Sequence, residues 1–490
     1  MIQLDGDGPL YQQIYRSLHM EILSRKLRAG ERLPSTRALA AFLKVSRNTA
    51  ILAYEQLLAE GYIESRAGAG TVVIPALSDD RVSAMLSQSA RHKDLRRDAE
   101  PRLAAAGERI RSLARGRTVR PELRPARVLY DFRSGRPAFI DFPHGLWCRL
   151  LGRRARRAAI RDLDYGPPEG RSELREAIAE RLRRLRGVDV SPDRIVIVNG
   201  SQQALDLISR VLLEPGDRVL IEEPHYTGAR SAFNAAGAEL VAAPVDQAGI
   251  QIPKQKMRGR LPRLVYVTPS HQFPTGVVLP LVRRLELLDW ASRANAVIVE
   301  DDYDSEYRYD GRPLQALAGL DREGRVIYVG TFSKILFPAL RLGYLVLPQS
   351  LVEPIAAAKA VGDSGTATLE QLALADFISG GHFERHIRKS SARNALRRRV
   401  LLAAIHEHFG ERAEIWGANA GLHVLVWLRD RRGGEIEGVS QKAESAGVGL
   451  YPVAPFYLKP PRRTGVLLGY GPLHEREIRE GIRRLAAALA

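Results

Sequence analysis

Lys334 closes the stretch "VIYVGTFSK", with Thr331 and Ser333 just before it and Arg341 seven residues on. Other apolar runs deliver polar groups in the same way. "RIVIVNG" leads into "SQQALDLISRVLL", a helix whose first amides, at Ser201 and Gln202, suit a phosphate. "VLIEEPHY" brings Tyr226, a flat aromatic face, and "AVIVEDDYDSEY" brings Asp301 and Tyr303. "VYVTPSHQFPTG" ends in a turn rich in polar and aromatic groups. Singly these signals are weak. A lysine after a strand is usually solvated, and "EDDYD" also reads as an exposed turn or a Mg²⁺ site. Together, and in this order, they are what one small molecule requires. Pyridoxal phosphate needs a lysine amine for its aldehyde, a carboxylate to keep its pyridine nitrogen protonated, an aromatic face and a dense phosphate cup. Lys334, Asp301, Tyr226 and a cup including Thr331, Ser333 and Arg341 meet those needs. No metal site is expected, since His406 and His408 in "HEHF" have no second ligand pair at metal spacing.

A second chemistry lies near the other end of the chain. "LPSTRALAAFLKV" and "VSRNTAILAYEQLLAEGYI" read as two helices N-capped by Ser35 and Ser46, the second stopped by Gly61. Ahead of them, "PLYQQIYRSLHMEILS" places Leu10, Ile14, Leu18 and Ile22 on one helical stripe. Behind them, "YIESRAGAGTVVI" reads as two short strands around a glycine-rich turn. The sum is a winged helix-turn-helix, with the apolar face of its third helix expected at Ile51, Tyr54 and Leu58. Arg37 begins the second helix, and Arg47, Asn48 and Thr49 open the third. These are the candidates for base edges and flanking phosphates in a major groove. The wing brings Arg66 and Gly68 to the DNA backbone or minor groove.

The elements that position these groups divide the chain. Residues 1–75 form the DNA-binding domain. Residues 76–128, rich in Arg and Ala with no persistent apolar stripe, read as a basic linker in reach of DNA phosphates. Over residues 129–365, helical patterns alternate with short β-branched runs, which calls for a mostly parallel sheet covered on both faces, with ligands at the carboxyl ends of its strands. Residues 366–490 turn helix first and then strand, the pattern of a smaller α+β domain. Net charge is +18, from 74 basic and 56 acidic residues, and it is uneven. Residues 1–75 hold 9 basic against 7 acidic residues, and residues 91–127 hold 12 against 5. A polyanionic partner is expected. The single cysteine, Cys148, excludes an internal disulfide and is expected to be a small buried apolar residue. The polar start and the absence of any apolar run near the roughly 18 residues of a membrane span give a cytoplasmic protein as the expectation.

The first 75 residues resemble the GntR-type winged helix, through "LPSTRALAAFLKVSRNTAILAYEQLLAEGYI" and "GAGTVV". The remainder resembles fold-type I aminotransferases, and the fusion, with "PSHQFPTG", "EDDYDSEYRY" and "GTFSK", is similar to the MocR/GabR family of transcription regulators. That resemblance implies that Lys334 carries pyridoxal phosphate as an internal aldimine. It makes Asp301 the partner of the pyridine nitrogen, Tyr303 a donor to the phenolic oxygen, and Tyr226 the stacking ring. Ser201, Gln202, Thr331, Ser333 and Arg341 would hold the phosphate, joined by Tyr165 of "DYGPPEGRSELREAIA" reaching across to a partner subunit. A homodimer with swapped DNA-binding heads is implied, whose partners are operator DNA and an effector: an amine, an amino acid or pyridoxal phosphate itself. Two departures weigh against a working enzyme. Phe273 stands before Pro274 where aminotransferases usually have asparagine. Leu467 and Leu468 stand in "GVLLGYG" where many have a carboxylate-binding arginine, although Arg462 and Arg463 lie nearby. The expectation is a regulator that senses through Lys334, with an aminotransferase that also binds DNA as the alternative.

Overall fold

The structure, a computed structural model, describes residues 4–24, 26–66, 70–74, 102–115, 128–253, 259–309 and 314–490. They fall into two compact units, Met1–Arg102 and Leu103–Ala490.

In the first unit, α1 (Leu10–Leu23), α2 (Thr36–Leu43) and α3 (Arg47–Ala59) precede an antiparallel hairpin of β1 (Ile63–Arg66) and β2 (Gly70–Val73). Both N-caps form as the sequence requires. Ser35 accepts from the Ala38 amide at 3.2 Å and Ser46 from the Thr49 amide at 3.1 Å, each satisfying a donor the helix cannot. The apolar faces differ in detail. Ile14, Leu18 and Ile22 are buried, but Leu10 is not. The third helix turns its Ala50, Ala53, Tyr54 and Leu57 inward and leaves Leu58 outside. Alanines carry little hydropathic signal, yet their small side chains suit a closely packed helix face.

The larger unit opens with β3 (Tyr130–Asp131). Its eight-stranded sheet uses β4 (Ile195–Val198), β5 (Arg218–Glu223), β6 (Glu239–Asp246), β7 (Gly249–Ile250), β8 (Leu264–Val267), β9 (Val297–Asp302), β10 (Val326–Thr331) and β11 (Gly343–Val346). Their order is β4-β11-β10-β9-β8-β5-β6-β7. The pairs β10–β9, β9–β8, β8–β5 and β5–β6 are parallel. The strand β11 runs antiparallel between β4 and β10. Runs such as "IVIV" and "LVYV" are wholly buried, as strands covered on both faces must be. At one end of the sheet the backbones come very close: a methyl on Gly343 would lie 2.8 Å from the Gly330 carbonyl oxygen and 3.2 Å from Gly200 Cα. That end carries the candidate site.

A four-stranded antiparallel sheet follows, made of β12 (Ala413–Trp416), β13 (His423–Arg432), β15 (Tyr451–Pro452) and β16 (Arg463–Gly469), with the short β14 (Val448–Gly449) beside it. Helices His382–Phe409 and Glu475–Ala488 contribute Leu401, Ile405, Ile478 and Ile482 to its core. β3 pairs with β14, and Phe132 is buried in that same core. The chain therefore joins the C-terminal layer before entering the larger one. Within the stretch read as linker, Ala105–Arg115 is a helix that belongs to the larger unit. Its Arg109 donates from Nε to the Ala235 carbonyl at 3.0 Å. Cys148 corrects the expectation of burial: it is exposed, on the outer side of helix His144–Arg156. Among the described residues no helix is long and apolar enough to cross a membrane.

Candidate cofactor site and nucleic-acid interface

Asp301 sits at the carboxyl end of β9, only 4% exposed. Its Oδ2 accepts from Tyr266 Oη at 2.7 Å, while Oδ1 is buried with no partner. Burial pushes this carboxyl up to about 7. The Tyr266 bond and the Lys334 amine pull it down, and Asp302 pushes it further up. A bare buried carboxylate oxygen is costly unless a cation or donor meets it.

Lys334 follows β10. Its Nζ donates to the Gly135 carbonyl at 3.0 Å. Gly135 is at φ +71°, and a methyl there would lie 2.8 Å from Nζ, so the close approach requires glycine. Burial lowers the lysine's pKa, Asp304 and Asp301 oppose that, and Arg136 adds to it. The amine is thus biased toward the neutral, nucleophilic form.

Tyr226 precedes helix Thr227–Ala236, its ring edge-on to Phe273 at 5.9 Å. Burial, then the Asp301 charge, raises its phenol to about 12. Gly228 lies directly against that ring, where a methyl would come within 2.4 Å of Cε1, and Gln202 Nε2 donates to the Gly228 carbonyl at 3.1 Å. Gly200, at φ +83°, starts the helix Ser201–Leu212. A methyl on Gly200 would lie 3.0 Å from Arg341 Nη2, which itself donates to the Asn199 carbonyl at 2.6 Å. Thr331 Oγ1 accepts from the Ser333 amide at 3.2 Å. Helix amides, hydroxyls and a guanidinium therefore gather beside the glycine turn, an arrangement suited to a phosphate.

Tyr303 is half-buried, with Oη 2.9 Å from His271 Nδ1. The His271 nitrogen is also 3.1 Å from Asp304 Oδ2. Phe273, flagged as a departure, is an aromatic hub, with ring centroids 5.8 Å from Tyr303, 5.4 Å from His423 and 5.2 Å from Phe456. Its turn is held by Glu222, which accepts from the Thr268 amide and hydroxyl and from Gln272 Nε2. Leu467 is fully buried against Leu425, Trp427 and Val453. Arg463 points instead to Glu414, at 2.6 Å.

Lys334, Asp301, Tyr303, Tyr226, Gln202, Ser201, Thr331, Ser333 and Arg341 are thus drawn to one end of one sheet. Tyr165 is not among them: its ring is 86% exposed. Sequence reasoning passed over Tyr266, Gly135, Asp304 and His271. Tyr266 pairs with Val299 in neighbouring parallel strands, which puts Tyr266 and Asp301 on the same face. That alternation was the available signal. Gly135 lies 199 positions from Lys334 and had none.

In the first unit Arg37, Arg47 and Asn48 are exposed at the openings of α2 and α3. Thr49 is partly engaged, its hydroxyl 2.7 Å from Ser46 Oγ. Arg66 is exposed and paired with Glu64. Gly68 lies outside the described residues.

Fold and site together define a DNA-binding head joined to an aminotransferase-type domain. Residues 10–73 match the GntR family of bacterial regulatory proteins, and residues 153–462 match aminotransferase class I and II. The probable rhizopine catabolism regulatory protein MocR of Rhizobium meliloti is 40% identical over 490 residues, covering 100% of this chain and 95% of that protein. Pyrococcus horikoshii kynurenine aminotransferase, solved in complex with PMP, superposes with a TM-score of 0.70 at 32% identity, over 83% of this chain and 98% of that one. LysN, the α-aminoadipate aminotransferase of Thermus thermophilus complexed with N-(5'-phosphopyridoxyl)-L-leucine, gives 0.69 at 29%, over 79% and 97%. The chain belongs to the MocR-type regulators, which fuse a GntR winged helix to an aminotransferase-like domain.

Proposed function

We propose that this chain is a transcription regulator whose aminotransferase-like domain binds pyridoxal 5'-phosphate on Lys334 and senses a small amine, an amino acid or the cofactor itself. The observation that carries the reading is Asp301: a buried carboxylate with Oδ1 bare beside a depressed lysine. Pyridoxal phosphate supplies an aldehyde that joins primary amines and a pyridinium ring that withdraws electrons. In this reading Asp301 meets the ring nitrogen, Tyr226 covers the ring face, and Tyr303 donates to the phenolic oxygen. Ser201, Gln202, Thr331, Ser333 and Arg341 hold the phosphate. Arg37, Arg47, Asn48, Thr49, Arg66 and Gly68 contact operator DNA.

A homodimer completes the proposal. Ile160, Leu163 and Tyr165 are 89%, 71% and 86% exposed within one short segment, an apolar stretch suited to cover by a second copy. Tyr165 would then reach the partner's phosphate, and the heads would be swapped. The alternative, an aminotransferase that also binds DNA, rests on the same Lys334 acting as a base. Phe273 and the buried Leu467 disfavour it.

Borohydride treatment of the purified, cofactor-loaded protein tests the reading. Reduction should fix one pyridoxyl group on Lys334, and Lys334→Ala should abolish it. A wild-type protein that stays colourless with added pyridoxal phosphate overturns the reading. Turnover with a panel of amino donors would promote the alternative.

A further inference from the structure

His271, Asp304 and His423 are each no more than 2% exposed and lie behind Tyr303. The imidazole of His271 is wedged between two glycines at positive φ. A methyl on Gly421 would lie 2.0 Å from its Cε1, and one on Gly276 would lie 2.9 Å from its Nε2. Beside it, His423 keeps its ring 5.3 Å away and donates from Nε2 to the Pro274 carbonyl at 3.1 Å. Burial holds His423 down at about 3, so it stays neutral.

The proton of His271 can be placed. Burial raises the Asp304 carboxyl, and His271 and Lys334 oppose that. With Asp304 ionised it only accepts, and Nδ1 then carries the hydrogen that faces its Oδ2 at 3.1 Å. Tyr303 Oη lies 2.9 Å from the same Nδ1 and, with the hydrogen there, accepts as the second branch of a shared bond. Burial, with Asp304 the foremost neighbouring charge, holds the Tyr303 phenol well above its usual value, so it keeps its own proton. That proton then points away from the imidazole. The charged or titratable groups around the imidazole are Asp304, Tyr303 and His423, with Lys334 coupled to Asp304. We infer that His271, braced by Asp304, is the positioning residue that makes Tyr303 a hydrogen-bond donor into the cofactor site; this rests on the cofactor reading above. Without the imidazole, Asp304 loses its hydrogen-bond partner and, as the foremost charge near Tyr303, competes for the phenol's proton, so the donor is lost to the site.

Three metal-capable atoms of His271, Asp304 and His423 lie within 4.8 Å of one another. Zinc ligands at about 2.0–2.2 Å from the ion stand roughly 3.3 Å apart, however. The 2.9 and 3.1 Å contacts of Nδ1 are hydrogen bonds.

The consequence concerns the cofactor's phenolic oxygen. A donor there stabilises its anionic form and lowers the proton affinity of the lysine-bound nitrogen beside it. His271→Leu should therefore raise the pH midpoint of the yellow absorbance band by about one unit, a tenfold change in proton affinity. His271→Asn, which keeps a donor near the Nδ1 position, should stay near wild type. Tyr303→Phe should give the same shift as His271→Leu, and the double variant no more than either, because the two side chains act in series. A wild-type midpoint in His271→Leu, a His271→Asn shifted as far as His271→Leu, or an additive double variant overturns the inference. So does stoichiometric zinc that disappears with His271→Leu. Wild-type protein that never traps the cofactor on Lys334 fails the cofactor reading instead, and the two failures are told apart by that control.

Discussion

A carboxylate with one oxygen satisfied and the other buried bare destabilises the fold until a proton or a cation reaches it. For Asp301 the sign follows directly. Its folded pKa of about 7 lies above the ordinary 3.8, so proton binding contributes stability that is complete below the ordinary value and is lost as pH rises through about 7. In cofactor-free protein, wild type should gain on Asp301→Asn as pH falls from about 8 to about 5, by on the order of a few kcal/mol in thermal or urea unfolding. A constant difference across that range would show that Asp301 titrates normally. Cofactor should reverse the order at neutral pH, since asparagine offers no counter-charge to a pyridinium. Lys334, Asp301 and Tyr226 were legible because each ends a recognisable strand. Tyr266 was not, because its role is a bond to a residue 35 positions on, across a strand pairing. His271 was in plain view inside "PSHQFPTG" but gains meaning only from Asp304 and from the glycines that clamp it.

Elements were legible where their periodicity was strong. β4, β5, β8, β9 and β10 all stand where apolar runs placed them. β11 went unread: "GYLV" is four residues long and follows Arg341 without a turn signal, so nothing marks it as the antiparallel strand wedged between β4 and β10. Its insertion explains Gly330. That residue pairs with Tyr344, and a methyl on it would lie 2.2 Å from the tyrosine Cζ. Gly330→Ala should therefore force β10 and β11 apart, costing about 1–3 kcal/mol of stability as overpacking does. Because Thr331, Ser333 and Lys334 follow at once, cofactor affinity should fall in the same variant. Equilibrium unfolding and cofactor titration check both. An unchanged affinity in a destabilised variant would mean the strand end moves independently of the site.

At the scale of the whole molecule, the residues proposed to contact DNA and those proposed to hold the cofactor lie in separate units, and each function should fail alone. Arg47→Ala and Arg37→Ala should weaken operator binding while cofactor loading stays at wild-type level. The slope of log affinity against log salt should shrink by roughly one for each phosphate contact removed. Residues 103–490 that still bound the operator specifically would show that the head was misassigned.

A route for communication between the units can be tested in the intervening chain, one described piece of which is informative. The helix Ala105–Arg115 rests on helix Thr227–Ala236, with Arg109 bonded to Ala235 at its far end, while Tyr226 caps its near end inside the site. A ligand that shifts Tyr226 therefore bears on the seat of the helix that follows the first unit in the sequence. Typical coupling is about 1–3 kcal/mol, or roughly 5- to 150-fold in operator affinity between ligand states, and operator DNA must change ligand affinity by the same factor. Lys334→Ala should keep operator binding but lose its response to amines. Arg109→Ala should keep operator binding and cofactor loading yet reduce that factor, since the seat is loosened without touching either site. Operator titrations with and without cofactor, in wild type and both variants, decide it. Full coupling in Arg109→Ala would remove this helix from the route, and identical curves in every ligand state of the wild type would leave the lysine site without a regulatory output.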